Sequence, residues 1–235
     1  MSLWVLTPLL WALPAAAPPT VADRLVEPAS EIAFDARPLI DGERFVCLGA
    51  GIRKKSIFKV YAVSFCLEKA GAAQLEAWLA RSGQRLAGRA GLADALADDE
   101  AFFRELLSLG VAKAVEMAFV RDVSRDKIRA AFADSLVRVL GEGERGRVEA
   151  FVAQLQREVR SGERLTLLAR PGGDITVWLS GERRVLHDEI IAGALWTPYL
   201  GTDSITPSLK RSVAQGVARL HLQARSAGWS AESAH

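Results

Sequence analysis

The chain has 235 residues, half of them apolar and a quarter charged, which is enough to bury the core of one domain of about 200 residues. A formal net charge of +2, with arginines interspersed among glutamates and aspartates and no basic stripe interleaved with aromatics, argues against nucleic acid as a partner. Beyond the N-terminal stretch, no segment is long and uncharged enough to cross a bilayer as a helix, which needs about 20 apolar residues.

At the N-terminus, Leu3 to Leu13 is apolar apart from Thr7 and Pro8. Ala15-Ala16-Ala17 then supplies small residues of the kind a signal peptidase cuts after. Residues 1–17 are therefore expected to be a secretory signal peptide, although no Lys or Arg precedes the apolar run, and the expected location is periplasmic or secreted. Residues 18–30 are read as a linker, 31–227 as the folded domain and 228–235 as a disordered tail.

A first short strand is expected over Glu31 to Asp35 and a second over Arg44 to Leu48. Leu48-Gly49-Ala50-Gly51-Ile52-Arg53 then places an arginine in what reads as a glycine turn. Ile57 to Glu68 has the clearest alternation, with Lys59, Tyr61, Val63, Phe65 and Leu67 on one face and Phe58, Val60, Ala62, Ser64 and Cys66 on the other. Both faces are largely apolar, so both should be covered. Cys47 and Cys66, the only cysteines, fall on roughly opposed positions of these two strands; a disulfide and two buried thiols account for them equally well.

From Gly71 the period becomes helical through Leu75, Trp78 and Leu79, and again through Phe102, Phe103, Leu106 and Leu107, with 85–99 as a loop or frayed helix between. Ala114 to Asp122 alternates as a strand. Ser124 is placed to cap a helix whose apolar stripe is Ile128, Ala131, Phe132, Leu136 and Val139, with the hydroxyl of Ser135 inside that stripe. A further helix buries Val148, Phe151, Val152, Leu155 and Val159. Leu165 to Arg170, Ile175 to Leu179 and Arg183 to His187 form an antiparallel meander. A helix starts at Asp188, and Thr206-Pro207 opens the last one, carrying Leu209, Val213, Val217 and Leu220. Antiparallel runs of strands and blocks of helices define an α+β class.

Several chemistries are missing from this pattern. Gly141-Glu142-Gly143-Glu144-Arg145-Gly146 matches a dinucleotide fingerprint in form, but it follows a helix and brings carboxylates to the phosphate position. His187, His221 and His235 are too scattered to pair on a metal, and neither cysteine has a nearby histidine. No cofactor or metal is expected.

Leu48-Gly49-Ala50-Gly51-Ile52-Arg53, followed by Phe58-Lys59-Val60-Tyr61-Ala62-Val63 and, near the other end, Leu200-Gly201 and Pro207-Ser208-Leu209-Lys210, resembles the chalcone isomerase family, more closely its bacterial chalcone-isomerase-like branch. The resemblance covers roughly 30–225. It implies an open-faced α+β sandwich, a large antiparallel sheet with helices over one side and a ligand cleft between. In the plant enzymes the arginine after the glycines stabilises a chalcone phenolate; in non-catalytic relatives it holds a fatty-acid carboxylate. By resemblance, the enzymes' strand threonine falls on Tyr61, their cleft tyrosine near Ile128, their helical asparagine near Ser135 and their late threonine near Thr197 or Pro198.

An arginine with a single strand hydroxyl suits a carboxylate better than a cyclisation, which needs differential stabilisation of a reacting oxyanion and carbonyl. The expectation is a non-catalytic, fatty-acid-binding or similar apolar-anion-binding protein. Arg53 would pair with the head group and Tyr61 would donate to it, while Ser135 and Thr197 would line the cleft. The alternatives are an intramolecular lyase using Arg53 and Tyr61, and a partner protein with a collapsed cleft in which Arg53 is sealed against Glu116. Oligomeric state is not legible.

Overall fold

The computed structural model describes residues 24–86 and 91–232, with side chains not described over 83–86 and 225–232. The expected signal peptide lies outside the described residues. Strands β1 (Arg24–Glu27) and β2 (Ile32–Asp35) form a separate antiparallel hairpin. Strands β3 (Leu39–Ile40), β4 (Glu43–Lys55), β5 (Phe58–Glu68), β6 (Lys113–Phe119), β7 (Arg164–Ala169), β8 (Asp174–Leu179) and β9 (Glu182–His187) make one antiparallel sheet in sequential order. The α+β class and the meander are as the alternation predicts.

Helices α1 (Lys69–Leu86), α2 (Leu92–Ala97), α3 (Glu100–Ser108), α4 (Arg125–Leu140), α5 (Arg145–Val152), α6 (Glu189–Ala194), α7 (Thr197–Leu200) and α8 (Pro207–Glu232) complete the chain. On one face of the sheet Val63, Phe65, Leu67, Val115 and Met117 join the main core with buried residues of these helices, such as Phe102, Phe132, Phe151 and Val213. The opposite face is also covered, as its apolar residues require: Phe34 of the hairpin packs on Ala50, Ile52, Ala62 and Ala118.

Two expectations about the chain ends are corrected. Residues 24–27, assigned to the linker, form β1, because Leu25 pairs with Phe34 and reaches apolar side chains on the second face of the sheet. The tail expected from Gly228 is helical as far as Glu232, and 233–235 lie outside the described residues.

The glycines before Arg53 do not make a turn. They sit inside β4, and a Cβ on Gly49 or Gly51 would lie 2.4 Å from the Val213 nitrogen or 2.3 Å from the Leu209 nitrogen. Their role is to let the backbone of α8 approach a strand. Ser208, Ser212 and Gly216 recur every fourth residue on α8, a rise of about 6.0 Å, against Ile52, Ala50 and Leu48 taken every second residue on β4, about 6.7 Å. The two spacings nearly match. Ser212 Oγ accepts from Ala50 N at 3.1 Å and Ser208 Oγ from Ile52 N at 3.0 Å, while a Cβ on Gly216 would overlap the Leu48 carbonyl. Earlier along the same strand edge, Phe45 N and Cys47 N donate to the Pro38 and Ala36 carbonyls. The edge of β4 is thus satisfied beyond the short β3, and not left as a template for another strand.

Two register irregularities decide which way side chains point. Cys47 pairs with Cys66 and Gly49 with Phe65, so Leu48 is one residue too many on β4. Arg53 pairs with Tyr61 and Lys54 with Lys59, so Val60 is one too many on β5. Bulges of this kind reset the inside-outside alternation. The first leaves the Cys47–Cys66 pair, a disulfide, on the hairpin face while Gly49, Gly51 and Arg53 point to the helix face. That resolves the cysteine alternatives in favour of the cross-strand bond.

Candidate functional site

The second bulge helps to shape a cavity of about 680 Å³ at the β4–β5–β6 end of the sheet, under α4 and beside α7. Its size is that of a small-molecule site, for which about 300–1,000 Å³ is usual. Val60 and Phe58 both reach its wall, although strict alternation assigns them to the opposite face. The helix side of the wall comes from Ile128, Phe132 and Leu136, spaced to fall on one side of α4, with Leu195 and Pro198 beyond them.

Across the strands a row of three side chains looks into this space. Arg53, Tyr61 and Phe119 are successive cross-strand partners, and the rings of Tyr61 and Phe119 lie 5.3 Å apart. Tyr199, carried by α7 and buried, faces Tyr61 and contributes a second phenol to the cavity. Arg53 is half-buried. Its Nη1 donates to the Ile205 carbonyl at 2.7 Å, and among the described residues no carboxylate pairs with it. Glu116, the partner considered from sequence, is bound instead by Arg164 at 2.7 Å. A planar cation held by one carbonyl and open to an apolar space is built to receive an oxyanion.

Burial raises the pKa of the Tyr61 phenol, and hydrogen bonding with Tyr199 and the charge of Arg53 only partly offset it. Tyr199 is pushed well above its ordinary range, first by burial and then by the adjacent Tyr61, with Arg53 again acting the other way. Both phenols therefore stay protonated at neutral pH and are available as donors. The Tyr199 hydroxyl also points to the Met117 sulfur at 3.9 Å.

Of the four residues expected at the site, Arg53, Tyr61 and Ser135 line the cavity. Ser135 Oγ donates back to the Ala131 carbonyl at 2.7 Å, which uses its proton within α4 and leaves oxygen lone pairs toward the space. Thr197 is not on the wall: it opens α7, and its neighbours Pro198 and Tyr199 occupy the positions facing inward. Tyr199 is the residue that sequence reasoning missed. The available signal was its place two residues after Thr197, one step further along the same short helix. The collapsed cleft is not what the structure has, since the space is open. Two other motifs take structural roles. Gly141 closes α4, and His187 Nδ1 lies 2.9 Å from the exposed Asp174 carboxylate.

An antiparallel sheet layered with helices, with an internal pocket whose lining includes Arg53 and two buried phenols, defines an open-faced α+β sandwich. The chain belongs to the family described as chalcone isomerase like, whose sequence profile matches residues 43–214. Among solved structures it is similar to the fatty-acid binding protein of Arabidopsis thaliana, with a TM-score of 0.66 and 17% identity over 85% of this chain and 99% of that one. At that identity the likeness is one of fold. Among curated proteins, none matches the chain in sequence.

Proposed function

We propose that the cavity binds a fatty acid or a similar apolar anion without transforming it, with Arg53 as counter-ion to the carboxylate and Tyr61 and Tyr199 as neutral donors beside it. The observation that carries this reading is the half-buried guanidinium with no carboxylate partner among the described residues, opening on a space of about 680 Å³. The fatty-acid binding named for the Arabidopsis protein of the same fold supports the ligand class. The Cys47–Cys66 disulfide supports the companion proposal that the protein works in an oxidising compartment after export, and the N-terminal mass of the secreted form would test it.

Mass spectrometry of lipids extracted from the purified protein, followed by fatty-acid titration, tests the binding reading. Arg53→Ala is expected to weaken binding about 10- to 100-fold, the worth of a charge-assisted pair. Tyr199→Phe should weaken it several-fold. Equal binding by wild type and Arg53→Ala would overturn the carboxylate clamp, and turnover of a chalcone well above its spontaneous cyclisation would replace it with an isomerase.

A further inference from the structure

Ile57 and Phe58, consecutive at the tip of the β4–β5 hairpin, are 84% and 56% exposed. They stand at the rim of the cavity, whose wall includes Lys55, Ser56 and Phe58. Basic residues predominate around them. Lys54, Lys55 and Lys59 flank the tip in sequence, Arg121 lies over the Phe58 ring at 5.1 Å, and Lys127 is on the same rim. Lys59 Nζ donates to the Ala29 carbonyl, and none of these five cations pairs with a carboxylate among the described residues. Asp122 and Asp134 are the acids at the cavity edge, and the Asp122 carboxylate already accepts from Ser161 N.

A chain with a formal net charge of +2 has therefore gathered five cations, none with a carboxylate partner among the described residues, around two exposed apolar side chains. A protein-binding patch would tend to exclude lysine from its centre. Apolar side chains ringed by lysine and arginine are instead what holds a protein at the surface of an anionic bilayer. We propose that the β4–β5 tip docks on an anionic membrane, with Ile57 and Phe58 entering the headgroup layer and the surrounding cations pairing with lipid phosphates. The cavity mouth then opens against the bilayer that supplies or receives its ligand, a last clause that rests on the binding reading above.

Co-sedimentation of the full chain with vesicles of phosphatidylcholine alone, or mixed with phosphatidylglycerol, tests this. Binding to the mixed vesicles is expected, and it should fall with added salt. Lys54→Gln should weaken it about fivefold and Ile57→Ser about tenfold. Neither residue lines the cavity and both are exposed, so both variants should fold and take up fatty acid in solution as the wild type does. No sedimentation with anionic vesicles, or equal sedimentation with neutral ones, overturns the docking proposal. So does an Ile57→Ser variant that binds vesicles like the wild type but no longer self-associates in sedimentation velocity, because that assigns the tip to a second copy. Failed vesicle binding with intact fatty-acid titration counts against docking only; the reverse pattern counts against the cavity ligand only.

Discussion

Arg53 and Lys113 are two cations of this sheet whose surroundings differ from those of a surface charge, and only the first was legible in the sequence. Arg53 stood out because it follows Gly-Ala-Gly and precedes a clean alternating strand, whereas Lys113 looks like an ordinary residue at the head of β6. Burial holds the Lys113 ammonium down to about 8, although its Nζ donates to the Leu109 carbonyl. Between about pH 8 and its ordinary value of 10.5 the folded protein has released a proton that the unfolded chain still holds, so stability rises with pH across that window. Lys113→Met should remove this slope and be more stable than wild type at pH 7 by about 1–2 kcal/mol. Thermal unfolding from pH 7 to 10.5 checks it, and parallel curves for the two proteins would contradict it. Tyr199 escaped sequence reasoning for a related reason: a tyrosine in Thr-Pro-Tyr-Leu gives no hint that its ring will be turned toward another phenol.

Between elements, the contact of α8 with β4 carries the most specific information in the fold. The apolar stripe of α8 announced a buried helix, and the meander from β7 to β9 was plain from Pro171-Gly172-Gly173 and Ser180-Gly181. The meaning of Gly49 and Gly51 was not. A glycine that makes a turn and one that admits a neighbouring backbone look alike until the partner is known, and here the partner is some 160 residues away, at Leu209 and Val213. Gly51→Ala should cost about 3 kcal/mol or more, since its Cβ meets backbone and not a flexible side chain. Urea denaturation monitored by tryptophan fluorescence measures this. A loss under about 1 kcal/mol would mean that α8 can lift away at little cost, contrary to the close packing.

At the level of the whole molecule the sheet separates the cross-link from the cavity. The disulfide and the β1–β2 hairpin lie on one face, and the cavity and most of the core lie on the other. Replacing Cys47 and Cys66 together by alanine should cost about 3 kcal/mol, as expected for a cross-link spanning 19 residues. The fatty-acid binding proposed above should change little, because the sheet stands between. Denaturation and titration of the same preparation would show whether the two properties separate. The class and the late meander followed from periodicity. The cavity did not, because it depends on bulges, and a bulge is a mismatch between two strands that neither shows alone.

The supernumerary Leu48 acts as a phase shifter. Cys47 and Arg53 are an even number of positions apart, and in an unbroken strand they would share a face; one surplus residue sends the sulfur one way and the guanidinium the other. Were Leu48 instead paired with Phe65 in an unbroken strand, the two sides would exchange from Gly49 onward, delivering Ile52 to the pocket and the arginine to the hairpin. The position of the cation is set by one skipped pairing. Chains with the same arginine but an unbroken pairing upstream would keep the motif and lose the site.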